Sequence, residues 1–156
     1  MYPHTDRGTK RSIAEIAVSG RVPCYCSAVR QAARRISRQY AQALRPARVT
    51  VAQFTVLTLL RHKPGSGMGE LADALGTDRT SVSRIIAVLR RDGLIGLERS
   101  EDRRERRWGP TVAGRSRLEV AFPLYKAAQH RIESQLGSQA ARQLRELSFA
   151  LTVSLA

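Results

Sequence analysis

The residues best suited to chemistry lie between positions 78 and 107. The run Asp78-Arg79-Thr80-Ser81-Val82-Ser83-Arg84 opens an amphipathic stretch with arginines and short hydroxyl side chains. Arginine can bond guanine in bidentate fashion, and Ser or Thr can reach a base edge or a phosphate. Arg79, Thr80, Ser81, Ser83 and Arg84 are therefore candidates for reading DNA in a major groove. The same residue types are common on a solvated helix face, so this stretch alone does not decide. A second set follows at once: Arg99, Arg103, Arg104, Arg106 and Arg107, interleaved with Glu98, Glu101, Asp102 and Glu105. Arginine at the tip of a protruding hairpin suits the narrow, electronegative minor groove. An acid two residues from an arginine can fix its orientation through a charge-assisted hydrogen bond.

No catalytic set accompanies them. The sequence holds no nucleophile elbow and no phosphate-binding loop. His4, His62 and His130 are scattered without zinc spacing. We therefore expect no catalytic residue, no metal, no cofactor and no enzymatic activity.

Composition points the same way. The chain has 156 residues, with 27 Lys+Arg against 13 Asp+Glu, for a net charge of +14. All the basic residues except Lys10, Lys63 and Lys126 are arginine. Such an excess suggests a polyanionic partner, nucleic acid before an anionic membrane surface. No run approaches the roughly 18 apolar residues of a membrane span, and no secretory leader is visible. Cys24 and Cys26 are the two cysteines, too few for a disulfide framework, and two apart in a helix they point in different directions. A cytoplasmic, reducing location is expected.

The elements that must position these residues are mostly helical. Residues 1–22 are polar and basic and read as a mobile extension. Cys26, Val29, Ala33, Ile36, Tyr40 and Leu44 recur at spacings of three and four, predicting one apolar face of a long helix that ends at Pro46. Thr50 with Gln53 forms a capping-box pattern before a second helix carrying Val51, Phe54, Leu57 and Leu60. A short helix follows Ser66-Gly67 and closes at Gly76. Thr77 or Asp78 then caps a fourth helix with Val82, Ile85, Ile86 and Leu89 buried. Leu94 to Arg99 and Arg104 to Trp108 read as the strands of a charged hairpin. Thr111 caps a long helix that contains Pro123, expected to kink it. Ser138 caps a last helix with Ala140, Leu144, Leu147, Leu151 and Leu155 on one stripe. A short helix, a tight glycine turn and a second helix are the helix-turn-helix order, and a basic hairpin directly after it is a wing. The predicted class is mainly α with a small β-hairpin wing, flanked by long N- and C-terminal helices. The apolar faces of 26–44, 112–136 and 138–155 exceed what a lone winged helix needs to cover, which favours a partner.

The segments Thr50-Val51-Ala52-Gln53-Phe54, Glu70-Leu71-Ala72, Asp78 to Arg84, Leu89-Arg90-Arg91-Asp92-Gly93-Leu94-Ile95, Asp102-Arg103-Arg104 and Thr111-Val112-Ala113-Gly114-Arg115 together resemble the MarR family of winged-helix transcriptional regulators. The similarity spans about residues 24–155. It implies a single domain over 23–156, with the winged helix-turn-helix at about 50–110 and dimerisation helices at about 24–45 and 111–155. It also implies a homodimer, most often a repressor, on a pseudo-palindromic operator. By position, Asp102 and Arg104 match the family's Asp-x-Arg wing signature, with Arg104 in the minor groove, Asp102 as its orienter and Arg103 on phosphate. Arg107-Trp108-Gly109-Pro110 departs from the family's alternating apolar segment, which implies a short return strand.

The resemblance further implies a signal. Many members release DNA when a small, often phenolic or carboxylic, ligand binds. Tyr25, Arg30, Arg34, Phe54 and His62 are the candidates for holding an aromatic or carboxylic effector. Other members sense oxidants through a cysteine on the first helix. Cys26 and Tyr40 are spaced as in the organic-peroxide sensors, although Arg30 stands where those carry a second Tyr. Cys26 can equally be a small packing residue, and an organic effector is the preferred expectation. A non-specific architectural DNA-binding protein remains the alternative outside regulation.

Overall fold

In the computed structural model, residues 24–98 and 106–154 are described. The extension 1–22 and the wing residues Arg99, Asp102, Arg103 and Arg104 lie outside them. The chain divides between Arg35 and Ile36 into two units. The order of elements is α1 (Tyr25–Leu44), a 3-10 turn (Arg45–Ala47), α2 (Val51–His62), α3 (Met68–Leu75), α4 (Arg79–Arg91), β1 (Ile95–Leu97), β2 (Trp108–Pro110), α5 (Val112–Leu136) and α6 (Ser138–Ser154). This is the mainly helical, winged arrangement expected from the sequence.

Local chemistry explains most boundaries. The Thr50 hydroxyl accepts from the Gln53 N–H at 3.2 Å, and the Gln53 side chain accepts from the Thr50 N–H at 2.8 Å. This reciprocal box satisfies two of the orphan donors at the start of α2. At the end of α3, Gly76 adopts φ +58°, a left-handed conformation that costs glycine little. Of the two cap candidates for α4, Asp78 is the one used.

The core forms within 36–156. Leu44, Val56, Leu57, Leu60, Leu71, Val82, Leu89 and Leu118 are fully buried, joining α2 through α5 to the end of α1. Phe54 stacks on Tyr125 at 4.9 Å and meets the edge of Phe122 at 5.4 Å. Burial of the α4 stripe at Val82, Ile86 and Leu89 fixes which face of that helix looks outward.

Two sequence expectations need correction. Among the described residues the return strand is Trp108–Pro110: of the expected Arg104 to Trp108 strand, Arg106 and Arg107 are not strand, and Arg104 and Glu105 lie outside the described residues. Its register pairs Ile95 with Pro110, Gly96 with Gly109 and Leu97 with Trp108, and all of β2 is buried. The strand follows burial, and Pro110 fits because β2 is an edge strand of a two-stranded sheet. Second, α6 begins at Ser138 itself, and the Gly137 carbonyl accepts from the Ala141 N–H at 3.0 Å. Gly137, not Ser138, therefore stands at the helix entry. The long first helix is present as expected, with Leu44 buried and Cys26, Val29 and Ala33 on its apolar face exposed.

Candidate nucleic-acid interface

The candidate interface is built on α4. Asp78 anchors its first turn: the carboxylate accepts from the Ser81 N–H at 2.9 Å and from the Ser81 hydroxyl at 2.7 Å. These bonds, the side-chain one first, hold the Asp78 carboxyl below its usual range. Ser81 is thus half-buried and engaged in capping. Thr80, Ser83 and Arg84 are exposed on the outward face. Arg79 is also exposed, and its guanidinium passes close to Gly69 on α3, 3.3 Å from where a Cβ there would stand. Arg91 pairs with the adjacent Asp92 at 3.0 Å. Four of the five sequence candidates on this helix, Arg79, Thr80, Ser83 and Arg84, therefore share an exposed surface, while Ser81 shapes the turn that presents them.

The wing is seated on this motif from two sides. Along one side β2 pairs with β1. Along the other, the Gly65 N–H donates to the Trp108 carbonyl at 2.9 Å, and the Trp108 N–H donates to the Ser66 carbonyl at 3.2 Å. Arg107 Nη1 donates to the Gly65 carbonyl at 3.0 Å and lies 3.9 Å from Glu70 Oε2. Glu70 in turn accepts from the Gly67 N–H at 2.8 Å and pairs with Lys63. The bond from Lys63, then that from Gly67, lowers the Glu70 carboxyl from its ordinary value. Arg90, in the last turn of α4, places its guanidinium 5.6 Å from the Trp108 ring centroid. Behind the wing, the Thr111 hydroxyl donates to the Gly93 carbonyl at 2.7 Å and accepts from the Gly114 N–H at 3.1 Å.

Tyr25, Arg30 and Arg34 are exposed on the first half of α1, and Tyr25 is 92% accessible. Phe54 belongs to the aromatic core, whereas His62, on the same helix, is exposed. None of the five effector candidates lines a groove of about 440 Å³ that has Ile36, Tyr40, Tyr125, Ile132, Leu144 and Phe149 among its walls. Arg145 and Glu133 form an ion pair at 3.0 Å on its border. Tyr40 stacks on Tyr125 at 5.1 Å, and burial, reinforced by Tyr125, pushes its hydroxyl up to about 12. Tyr40 is therefore a neutral donor near pH 7. Sequence reading missed this groove because its walls come from three separated helices. Among the described residues no cluster of His, Cys, Asp and Glu could hold a metal, and no helix is long and apolar enough to cross a membrane.

Comparison with known proteins gives the same picture. The MarR family model matches residues 49–107. The chain is similar to the Mycobacterium tuberculosis transcriptional regulator MosR in complex with DNA. That structure is 34% identical, with a TM-score of 0.71, and the match covers 85% of this chain and 98% of MosR. It is similar to the transcriptional repressor CouR bound to a 23-mer DNA duplex, 27% identical, with a TM-score of 0.74 and coverage of 94% and 99%. CouR bound to p-coumaroyl-CoA shares the fold at 24% identity and a TM-score of 0.77, with coverage of 91% and 97%. No curated protein sequence matches the chain.

Proposed function

The chain belongs to the MarR family of DNA-binding transcriptional regulators, whose members are not enzymes, and on that premise we propose that it is a homodimeric repressor of a pseudo-palindromic operator in the cytoplasm. The observation that carries this reading is the exposed Arg79, Thr80, Ser83 and Arg84 face of α4, held outward by the buried Val82, Ile86 and Leu89 stripe. A recognition helix inserted in a major groove needs this division. Arg103 and Arg104 of the wing, with Asp102 as orienter, add contacts to phosphate and to the adjacent minor groove.

Support for the dimer comes from α6. Leu147 is 65% accessible and Phe149 69%, with Leu144 and Leu151 also exposed. A single chain leaves these apolar side chains and the neighbouring groove open to water, and a second copy related by a twofold axis would cover them. Each protomer then offers one α4 to half of the operator. Selection of bound duplexes from a random pool tests the reading: it should return an inverted repeat with half-sites about one helical turn apart. Recovery of unrelated sequences would instead mark an architectural protein.

For the signal, a small aromatic or carboxylic effector is our first reading, supported by the likeness to CouR, a repressor with an acyl-CoA complex. Oxidation is the second. Its support is that Cys24 and Cys26 are both exposed, with the Cys24 sulfur accepting from the Ser27 N–H at 3.4 Å. Exposure leaves both thiols open to an oxidant, which buried packing residues would not be.

A further inference from the structure

The sequence groups Arg107 with the basic residues of the hairpin, as one more charge for DNA. The structure gives it different partners. Its guanidinium turns toward the helix-turn-helix, donating to the Gly65 carbonyl and standing beside Glu70. Gly65 precedes α3, and Glu70 closes the first turn of that helix through the Gly67 N–H. The next residue, Trp108, is 3% accessible, bonds through its backbone to Gly65 and Ser66, and lies under Arg90 of α4. Its indole Nε1 is buried with no hydrogen-bond partner among the described residues. Two adjacent residues of the wing's return segment thus grip the two helices of the reading motif: Arg107 the entry of α3, Trp108 the end of α4.

We propose that Arg107 is a positioning residue for DNA recognition, which clips β2 to the Gly65 turn and the Glu70 cap so that wing and recognition helix meet DNA as one rigid unit. It acts through Gly65 and Trp108 and makes no phosphate contact. Its Nη1 donates to the Gly65 carbonyl and stands 3.9 Å from the Glu70 carboxylate, so a phosphate would have to compete with both for this guanidinium. Rigid coupling also lowers the ordering cost when both parts must dock together. The proposal rests on the DNA-binding reading above and adds to it a device that the exposed face of α4 does not require.

The test uses the full chain and a duplex that the wild type has selected from a random pool. Two variants are compared, Arg107→Ala and Arg107→Gln; the second removes the charge but keeps a donor for the Gly65 carbonyl. Arg107→Ala should weaken binding roughly tenfold, the scale of one charge-assisted hydrogen bond, with the slope of log K against log salt unchanged. Arg107→Gln should recover part of the loss. Trp108 is the only tryptophan, so its emission reads the clip directly, and in Arg107→Ala it should shift to the red well below the unfolding temperature. A slope shallower by about one unit in both variants would instead make Arg107 a phosphate contact and overturn the proposal. Unchanged Trp108 emission in Arg107→Ala overturns it as well, and that readout needs no DNA. Failure of the pool to yield any preferred duplex would count against sequence-specific reading, while emission still judged the clip. Should Arg107→Ala not fold, Arg107→Gln carries the same slope and emission comparison.

Discussion

Gly114 in the first turn of α5 lies against the carbonyl of Leu94 so closely that a Cβ on residue 114 would stand 2.0 Å from that oxygen. The oxygen is backbone and is itself held, accepting from the Thr111 N–H at 3.1 Å. It cannot swing aside as a flexible side chain could. Gly114→Ala should therefore force α5 away from the base of the wing and destabilise the fold by about 1–3 kcal/mol, the usual scale of overpacking. Gly76→Ala has open space around the new methyl and faces only the left-handed backbone, so it should cost about 1–2 kcal/mol, less than the clash at Gly114. Urea unfolding of the two variants beside wild type checks the order; equal losses would mean that the close approach at Gly114 relaxes freely.

Glu70 and Asp78 give the helix-turn-helix a defined acid response. Both carboxyls are lowered from ordinary values of 4.5 and 3.8, mainly by hydrogen bonds from Lys63 and Ser81 respectively. A group lowered in the folded state stabilises fully above its unfolded value and loses that contribution as pH falls through the folded one. Asp78→Asn keeps a good N-cap while removing the charge. At pH 7 wild type should be the more stable of the two, and the gap should shrink progressively as pH drops below the ordinary value of 3.8, where the unfolded chain takes up the proton, and on through the lowered folded value. Glu70→Gln should show the same closing gap starting somewhat higher. Chemical denaturation at a series of pH values reads this; a gap that widens toward acid has the wrong sign.

Arg84 and Arg104 should fail differently. Arg84→Ala should cost about 1–3 kcal/mol of binding and relax preference at particular base pairs. Arg104→Ala should weaken binding and reduce preference for A·T-rich flanks. Asp102→Ala should partly copy Arg104→Ala because the orienter is lost. Tighter binding by Asp102→Ala would show that only its negative charge had mattered. Competition binding with duplexes varied in core or flank separates these outcomes.

Much of this was legible in the sequence because it is local. The Thr50–Gln53 box, the Gly76 stop and the α4 stripe each depend on residues within a few positions of one another. The return strand was ended at Trp108 because Gly109 and Pro110 read as a break before the next helix, whereas pairing runs through the buried Trp108–Pro110 segment. The roles of Arg107 and Gly114 were hidden because their partners, Gly65 and Leu94, are distant in sequence. Aromatic type marked Phe54 as an effector candidate, and it packs against Phe122 and Tyr125 in the core.

The two thiols separate the signal hypotheses. Because Cys24 and Cys26 are exposed, both should react with a thiol reagent in the native protein. Under the effector reading, a Cys24→Ser/Cys26→Ser double variant still binds DNA and is still released by the effector. Mild peroxide should leave wild-type affinity nearly unchanged. Release of the wild type by peroxide, abolished by Cys26→Ser alone, would put oxidation first and make Cys26 a functional site.

The dimer and the reading of sequence can be measured together. The full chain is titrated at fixed salt onto its pool-selected duplex and onto a shuffled duplex of equal length and composition, with the mass of each complex followed by sedimentation. We expect the selected duplex to be bound at least about 10³-fold more tightly. It should carry two chains, each of 17.3 kDa, and Leu147→Asp should reduce both the stoichiometry and the preference. Equal affinity for the two duplexes, or tight specific binding by a single chain, would contradict a homodimeric sequence-specific regulator.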